Sequence, residues 1–97
     1  MLHLTNFGYQ LVGGRLLPSK HGAAAQFMYE DSSGTRLTLY ATKTLKNETT
    51  AFRFFEAGEM SAFYWLYDPV AYALIGEVER SKLLQLTNVA YEALNRP

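Results

Sequence analysis

The chain has 97 residues, no cysteine, and nine basic side chains matched by nine acidic ones. Without cysteine there is no disulfide framework, thiol nucleophile, Cys-ligated zinc or iron–sulfur centre. No segment concentrates Lys or Arg, so the electrostatic footprint of a nucleic-acid binder is missing, and 48% apolar residues suffice for one core in one domain over residues 1–97.

In chain order, a short helical turn is predicted around Leu4 to Phe7. Tyr9 to Leu17 then has strand character, interrupted by Gly13-Gly14, which suits a bulge or a close backbone approach. Pro18 and the loop Ser19-Lys20-His21-Gly22 are expected to end it. Ala23–Glu30 and Arg36–Thr42 are β-rich runs around Asp31-Ser32-Ser33-Gly34, whose small polar residues and glycine suit a hairpin loop. Period-two alternation puts Leu37, Leu39 and Ala41 on one face of the second run and Thr38, Tyr40 and Thr42 on the other.

A polar connection, Lys43 to Thr50, leads to three further strand candidates: Ala51–Glu56, Ala62–Tyr67 and Val70–Val78, with Asp68-Pro69 as the turn between the last two. The Ala62–Tyr67 run is apolar or aromatic on both faces, the mark of a central strand covered on both sides. From Glu79 the period changes. Leu83, Leu86, Ala90 and Leu94 recur at three and four residues and predict a helix, with Leu84 and Tyr91 widening its stripe and Asn95 and Pro97 at its end. Its start is weakly capped, although Glu79 complements the helix dipole.

These elements predict an α+β fold, an antiparallel sheet of about five strands in a meander with the C-terminal helix packed on one face. The other face needs a cover, for which the N-terminal turn and a second copy of the domain are the candidates. The longest nearly uncharged stretch, Met60 to Ile75, is too short and too interrupted for a membrane span of about 20 apolar residues, and no signal peptide is read at the N-terminus. The chain is therefore expected to be soluble.

No constellation of catalytic type emerges. His3 and His21 are expected in a frayed end and a loop, without companion ligands. Glu30-Asp31 and Glu56/Glu59 read as solvated carboxylates around turns, not an acid–base pair. Ser19, Ser32, Ser33, Ser61 and Ser81 lack the nucleophile-elbow context and a histidine partner. Gly13-Gly14-Arg15 has strand residues on both sides, unlike a phosphate-binding loop that opens a helix. The chain is thus read as no enzyme, with no cofactor and no metal.

The aromatic residues stand out: Phe27, Tyr29, Tyr40, Phe52, Phe54, Phe55, Phe63, Tyr64, Trp65, Tyr67 and Tyr72 all fall on strand candidates. Most should form core and cross-strand pairs. Tyr40, Tyr64 and Trp65 are the candidates to anchor an interface, since Tyr and Trp most often do so.

Tyr9–Pro18 (YQLVGGRLLP), Ala25–Asp31 (AQFMYED), Gly34–Tyr40 (GTRLTLY), Ala51–Phe54 (AFRF), Phe63–Trp65 (FYW) and Tyr72–Glu77 (YALIGE) together resemble the C-terminal domain of proteobacterial transmembrane anti-sigma factors. The likeness runs in order over nearly the whole chain. It implies a periplasmic sensory or regulatory domain of an inner-membrane protein that controls an extracytoplasmic-function sigma factor. Sigma binding would belong to an N-terminal part that these residues do not include. The implied partners are proteins, self-association among them, and no contact residues carry over from the family. The alternative is a small-molecule-binding domain with its pocket between helix and sheet. A close-packed helix–sheet core would count against it.

Overall fold

The structure, a computed structural model, describes residues 2–20 and 22–95. Met1 as the start, His21 in its loop and Pro97 as the helix stop lie outside the described residues. The elements are a 3-10 turn at Thr5–Phe7, strands β1 (Gln10–Ser19), β2 (Gly22–Glu30), β3 (Arg36–Lys43), β4 (Arg53–Ala57), β5 (Met60–Tyr67) and β6 (Val70–Gly76), and helix α1 (Arg80–Asn95). The α+β reading holds. The described residues form a single antiparallel sheet of six strands, so the expected count of about five is corrected to six.

The strand order, β1-β2-β3-β6-β5-β4, also corrects the expected meander. Two three-stranded meanders, β1-β2-β3 and β4-β5-β6, meet where β3 pairs with β6, with Leu39 opposite Leu74 and Tyr40 opposite Ala73. The connection after β3 therefore runs to the far edge of the sheet before the chain works back inward. Along it, Thr44 N–H bonds the Pro69 carbonyl, while Thr50 N–H bonds the Leu66 carbonyl and its hydroxyl receives the Leu66 N–H. Residues that read as a free polar connection are thus tied to the β5–β6 hairpin.

Local chemistry explains the turns. In the β2–β3 hairpin the Asp31 carboxylate accepts the Ser33 and Thr35 amides at 3.0 and 2.8 Å and the Ser33 hydroxyl at 2.8 Å, while Gly34 takes φ 86°. These bonds to the charged form hold the Asp31 carboxyl below its ordinary value, with Lys82 adding a smaller pull in the same direction. A register shift between Leu11 and Gly13 puts the bulge at Val12, immediately before the Gly-Gly pair where it was expected, while Gly13 and Gly14 pair regularly with Met28 and Phe27. Strand β1 nevertheless continues through Pro18 to Ser19, because an edge strand tolerates the missing donor. Asp68 and Pro69 make the β5–β6 turn through a cis peptide bond.

Period two divides the sheet. On one face lie Tyr29, Leu37, Leu39, Leu74, Phe63 and Trp65, all buried, and α1 covers them with Leu83, Leu86 and Ala90. Each leucine and phenylalanine among them, withdrawn from water, stabilises the fold by about 1.5–3 kcal/mol. Thr87 also lies under the helix, its hydroxyl bonded to the Leu83 carbonyl, and Asn95 receives the Trp65 indole N–H at 3.0 Å. Leu84 is exposed and does not widen the stripe as expected, whereas Tyr91 does, meeting Phe52, Trp65 and Tyr67 edge-on or tilted. The helix begins with the Glu79 carbonyl receiving the Leu83 amide and the Glu79 carboxylate receiving the Ser81 hydroxyl.

The N-terminal turn was a candidate cover for the second face and lies instead on the helix side. Leu2, Leu4 and Tyr9 are buried in the same core, and the Tyr29 hydroxyl donates to the Leu2 carbonyl at 2.8 Å. Burial pushes the Tyr9 and Tyr29 phenols above their ordinary value, Asp31 contributing at Tyr9. Leu2 and Leu4 extend the apolar surface that α1 leaves bare, which is why they are drawn to that side.

Candidate functional site

The second sheet face carries no covering element among the described residues. Strand pairing lines up one row across all six strands: Arg15, Gln26, Tyr40, Ala73, Tyr64 and Arg53. The neighbouring row runs through Met28, Thr38, Ile75, Ala62 and Phe55, and the one beyond through Ala24, Thr42, Ala71 and Leu66. The alanines of β6, Ala71 and Ala73, lower the middle of this face beside the rings of Tyr40 and Tyr64.

Of the three residues singled out as interface anchors, the structure brings two together. Tyr40 and Tyr64 both flank Ala73 on this face. Tyr64 is 41% exposed and Phe55, in the adjoining row, 60%. Trp65 is corrected: it is 0% exposed on the opposite face, stacked on Tyr72 at 5.2 Å and edge-on to Phe52 at 5.5 Å. Adjacent strand residues point to opposite faces, so Tyr64 and Trp65 could never share a surface, and the helix selects Trp65 for the core. The expectation that β5 is covered on both sides fails with it, since only the Phe63 and Trp65 side is packed.

The first half of the row is organised by hydrogen bonds. Arg15 Nε donates to Gln26 Oε1 at 2.9 Å, and Gln26 Nε2 donates to the Tyr40 hydroxyl oxygen at 2.9 Å. Gln26 is only 8% exposed although no element lies over it, because the Arg15 and Tyr40 side chains close against it from the neighbouring strands. The consequence is directional. Arg15 keeps its two terminal nitrogens without a hydrogen-bond partner among the described residues, and Tyr40, having accepted from Gln26, retains a hydroxyl hydrogen to donate.

Sequence reading missed this arrangement, because Arg15, Gln26 and Tyr40 lie 11 and 14 positions apart. The available signal was the Asp31-Ser32-Ser33-Gly34 loop, which sets the β2–β3 register and so puts Gln26 opposite Tyr40.

The remaining candidates are spread over the molecule. Glu30 pairs with Arg36 at 2.9 Å, Asp31 is consumed in its turn, and Glu56 and Glu59 are exposed around the β4–β5 turn. Ser61 is buried in β5, Ser81 serves the start of α1, and His3 is exposed in the N-terminal segment. No group of three or more His, Asp or Glu side chains gathers among the described residues. Between helix and sheet the space is filled by Trp65, Leu74, Leu83, Leu86 and Ala90, each fully buried, so the region reserved for a ligand pocket is close-packed core. Among the described residues no helix is long and apolar enough to cross a membrane. No family model, curated protein or solved structure matches the chain.

Proposed function

We propose that this chain is a regulatory module that works through protein contact made by the open sheet face. The observation that carries the reading is the inequality of the two faces: one is sealed by a helix, while the other leaves Tyr64, Phe55 and Met60 exposed around half-buried Ile75, Leu66 and Tyr40. A continuous, partly aromatic surface on rigid strands suits protein partners, which are anchored by Tyr and apolar side chains at small entropic cost. The close-packed helix–sheet core counts against the small-molecule alternative.

The likeness to the C-terminal domain of transmembrane anti-sigma factors gives this contact a biological setting. On that reading the domain sits in the periplasm as part of an inner-membrane anti-sigma factor, and occupation of the open face governs release of an extracytoplasmic-function sigma factor. The open hairpin β2–β3 and the bulged β1, where the AQFMYED, GTRLTLY and YQLVGGRLLP segments fall, supply most of one half of that face.

Deleting the coding region for these residues in the native host tests the setting. The expected result is a changed transcript level for a set of genes sharing one promoter element. An unaltered transcriptome would reject the anti-sigma reading. The contact itself is tested by a photo-crosslinking residue at position 64 and another at position 88 on the exposed side of α1. Protein adducts from 64 and none from 88 are expected, and the reverse pattern would reject the open face.

A further inference from the structure

We infer that the occupant of the open face is an acidic, apolar segment of a different protein, whose carboxylates are received by Arg15 with Tyr40 at one end and by Arg53 at the other. This deepens the protein-contact reading and rests on it. Arg15 lies on β1 and Arg53 on β4, the two edge strands, so five interstrand steps of about 4.8 Å separate them by about 24 Å. Neither has a carboxylate within ion-pair distance among the described residues. Glu30, which lies on β2 with Gln26, is already engaged by Arg36.

Gln26 fixes the Arg15 guanidinium through Nε alone, which leaves the terminal pair of N–H groups as a fork for a carboxylate. Tyr40, in the same row, adds an O–H donor. Between these ends the surface is aromatic and aliphatic: Tyr64 and Leu66 flank the alanine floor of β6. The fitting segment therefore carries apolar side chains in its middle and carboxylates at both ends. A helix of about 16 residues spans that distance at 1.5 Å per residue.

Charge counts against a second copy of this chain stacked row on row. A two-fold face-to-face contact that lays one row along the other places each end over an end of its own kind or over the opposite end. Both ends are arginines, so guanidinium meets guanidinium in either arrangement, and nothing in the row neutralises them.

The test is selection of random 16-residue peptides, displayed on phage, against the folded 97-residue protein, with bound positions mapped by amide chemical-shift perturbation. The expected ligands carry Asp or Glu flanking an apolar middle, shift the amides around Arg15, Tyr40, Tyr64 and Arg53, and weaken as salt rises. Arg15→Gln and Arg53→Gln should each lower affinity about fivefold with the circular dichroism spectrum unchanged. Neutral or basic ligands on the same face, or acidic ones indifferent to both substitutions, overturn the inference and leave the contact reading standing. Ligands that map to α1, or no enrichment at all, count against both. Light scattering supplies the remaining outcome: a dimer dispersed by Tyr64→Arg would assign the face to a second copy and overturn the inference.

Discussion

The two faces of one sheet, built from the same strands, have opposite fates. On the helix side the side chains of β3, β5 and β6 meet α1 and the N-terminal turn, and the largest of them, Trp65, is sealed on every side. On the other side the neighbouring residues of the same strands, Tyr40, Ala73 and Tyr64, rest on nothing but each other and their cross-strand neighbours. Backbone geometry is common to both, so it is the burial each face achieves that separates a stabilising surface from one free to bind. Substitutions on the first should change stability, and those on the second should change contacts.

The largest effect should follow Leu86→Asp, which places an unpaired carboxylate under the helix; loss of the folded state by circular dichroism is expected, and a fully folded variant would mean that α1 does not seal this face. Gly76→Ala comes next. An added Cβ would lie 2.8 Å from the Arg36 carbonyl oxygen and 3.2 Å from a Leu37 methyl, so urea titration should show about 2 kcal/mol of destabilisation. Trp65→Phe keeps an aromatic ring but leaves the Asn95 side-chain oxygen without its donor, for about 1–2 kcal/mol by the same measurement.

Tyr64→Ser, one residue away, should change stability by less than about 1 kcal/mol while abolishing peptide binding at the open face. A loss comparable to that at Trp65 would erase the distinction between the faces.

The smallest effect concerns acid. The Asp31 carboxyl is held below its ordinary value of 3.8, so its contribution is fully present above the unfolded value and is lost as pH falls through the lower folded one. Asp31→Asn should therefore flatten the fall in stability below about pH 4, and an unchanged acid limb would show that the turn bonds do not depend on the charge.

Much of this was written in local sequence. All six strands coincide with β-rich runs, the Leu37/Leu39/Ala41 alternation holds, and the change of period at residue 79 marks the helix to within a residue. The pairing of β3 with β6 was not legible, because residues 36–43 and 70–76 carry no mutual signal until the second meander has formed. Which of Tyr64 and Trp65 would face inward was equally hidden. Alternation separates them, but the choice depends on where α1 lands, and α1 lands where Asn95 can take the indole N–H and Tyr91 can meet Phe52. The candidate site was half legible: its tyrosine anchors were found by composition, while the Arg15–Gln26–Tyr40 chain exists only across three strands.

The strand order also governs how the molecule comes into being. The last strand made, β6, is not an edge but fills the gap between β3 and β5. During synthesis both of those neighbours must wait, each with one row of backbone donors and acceptors unpaired, until residues 70–76 have left the ribosome. Two incomplete sheets with bare inner edges are templates for pairing with other chains. Chains cut short before β6 should accordingly aggregate rather than survive as smaller folded units, and the arrival of this one short strand converts two such edges into the middle of a finished sheet.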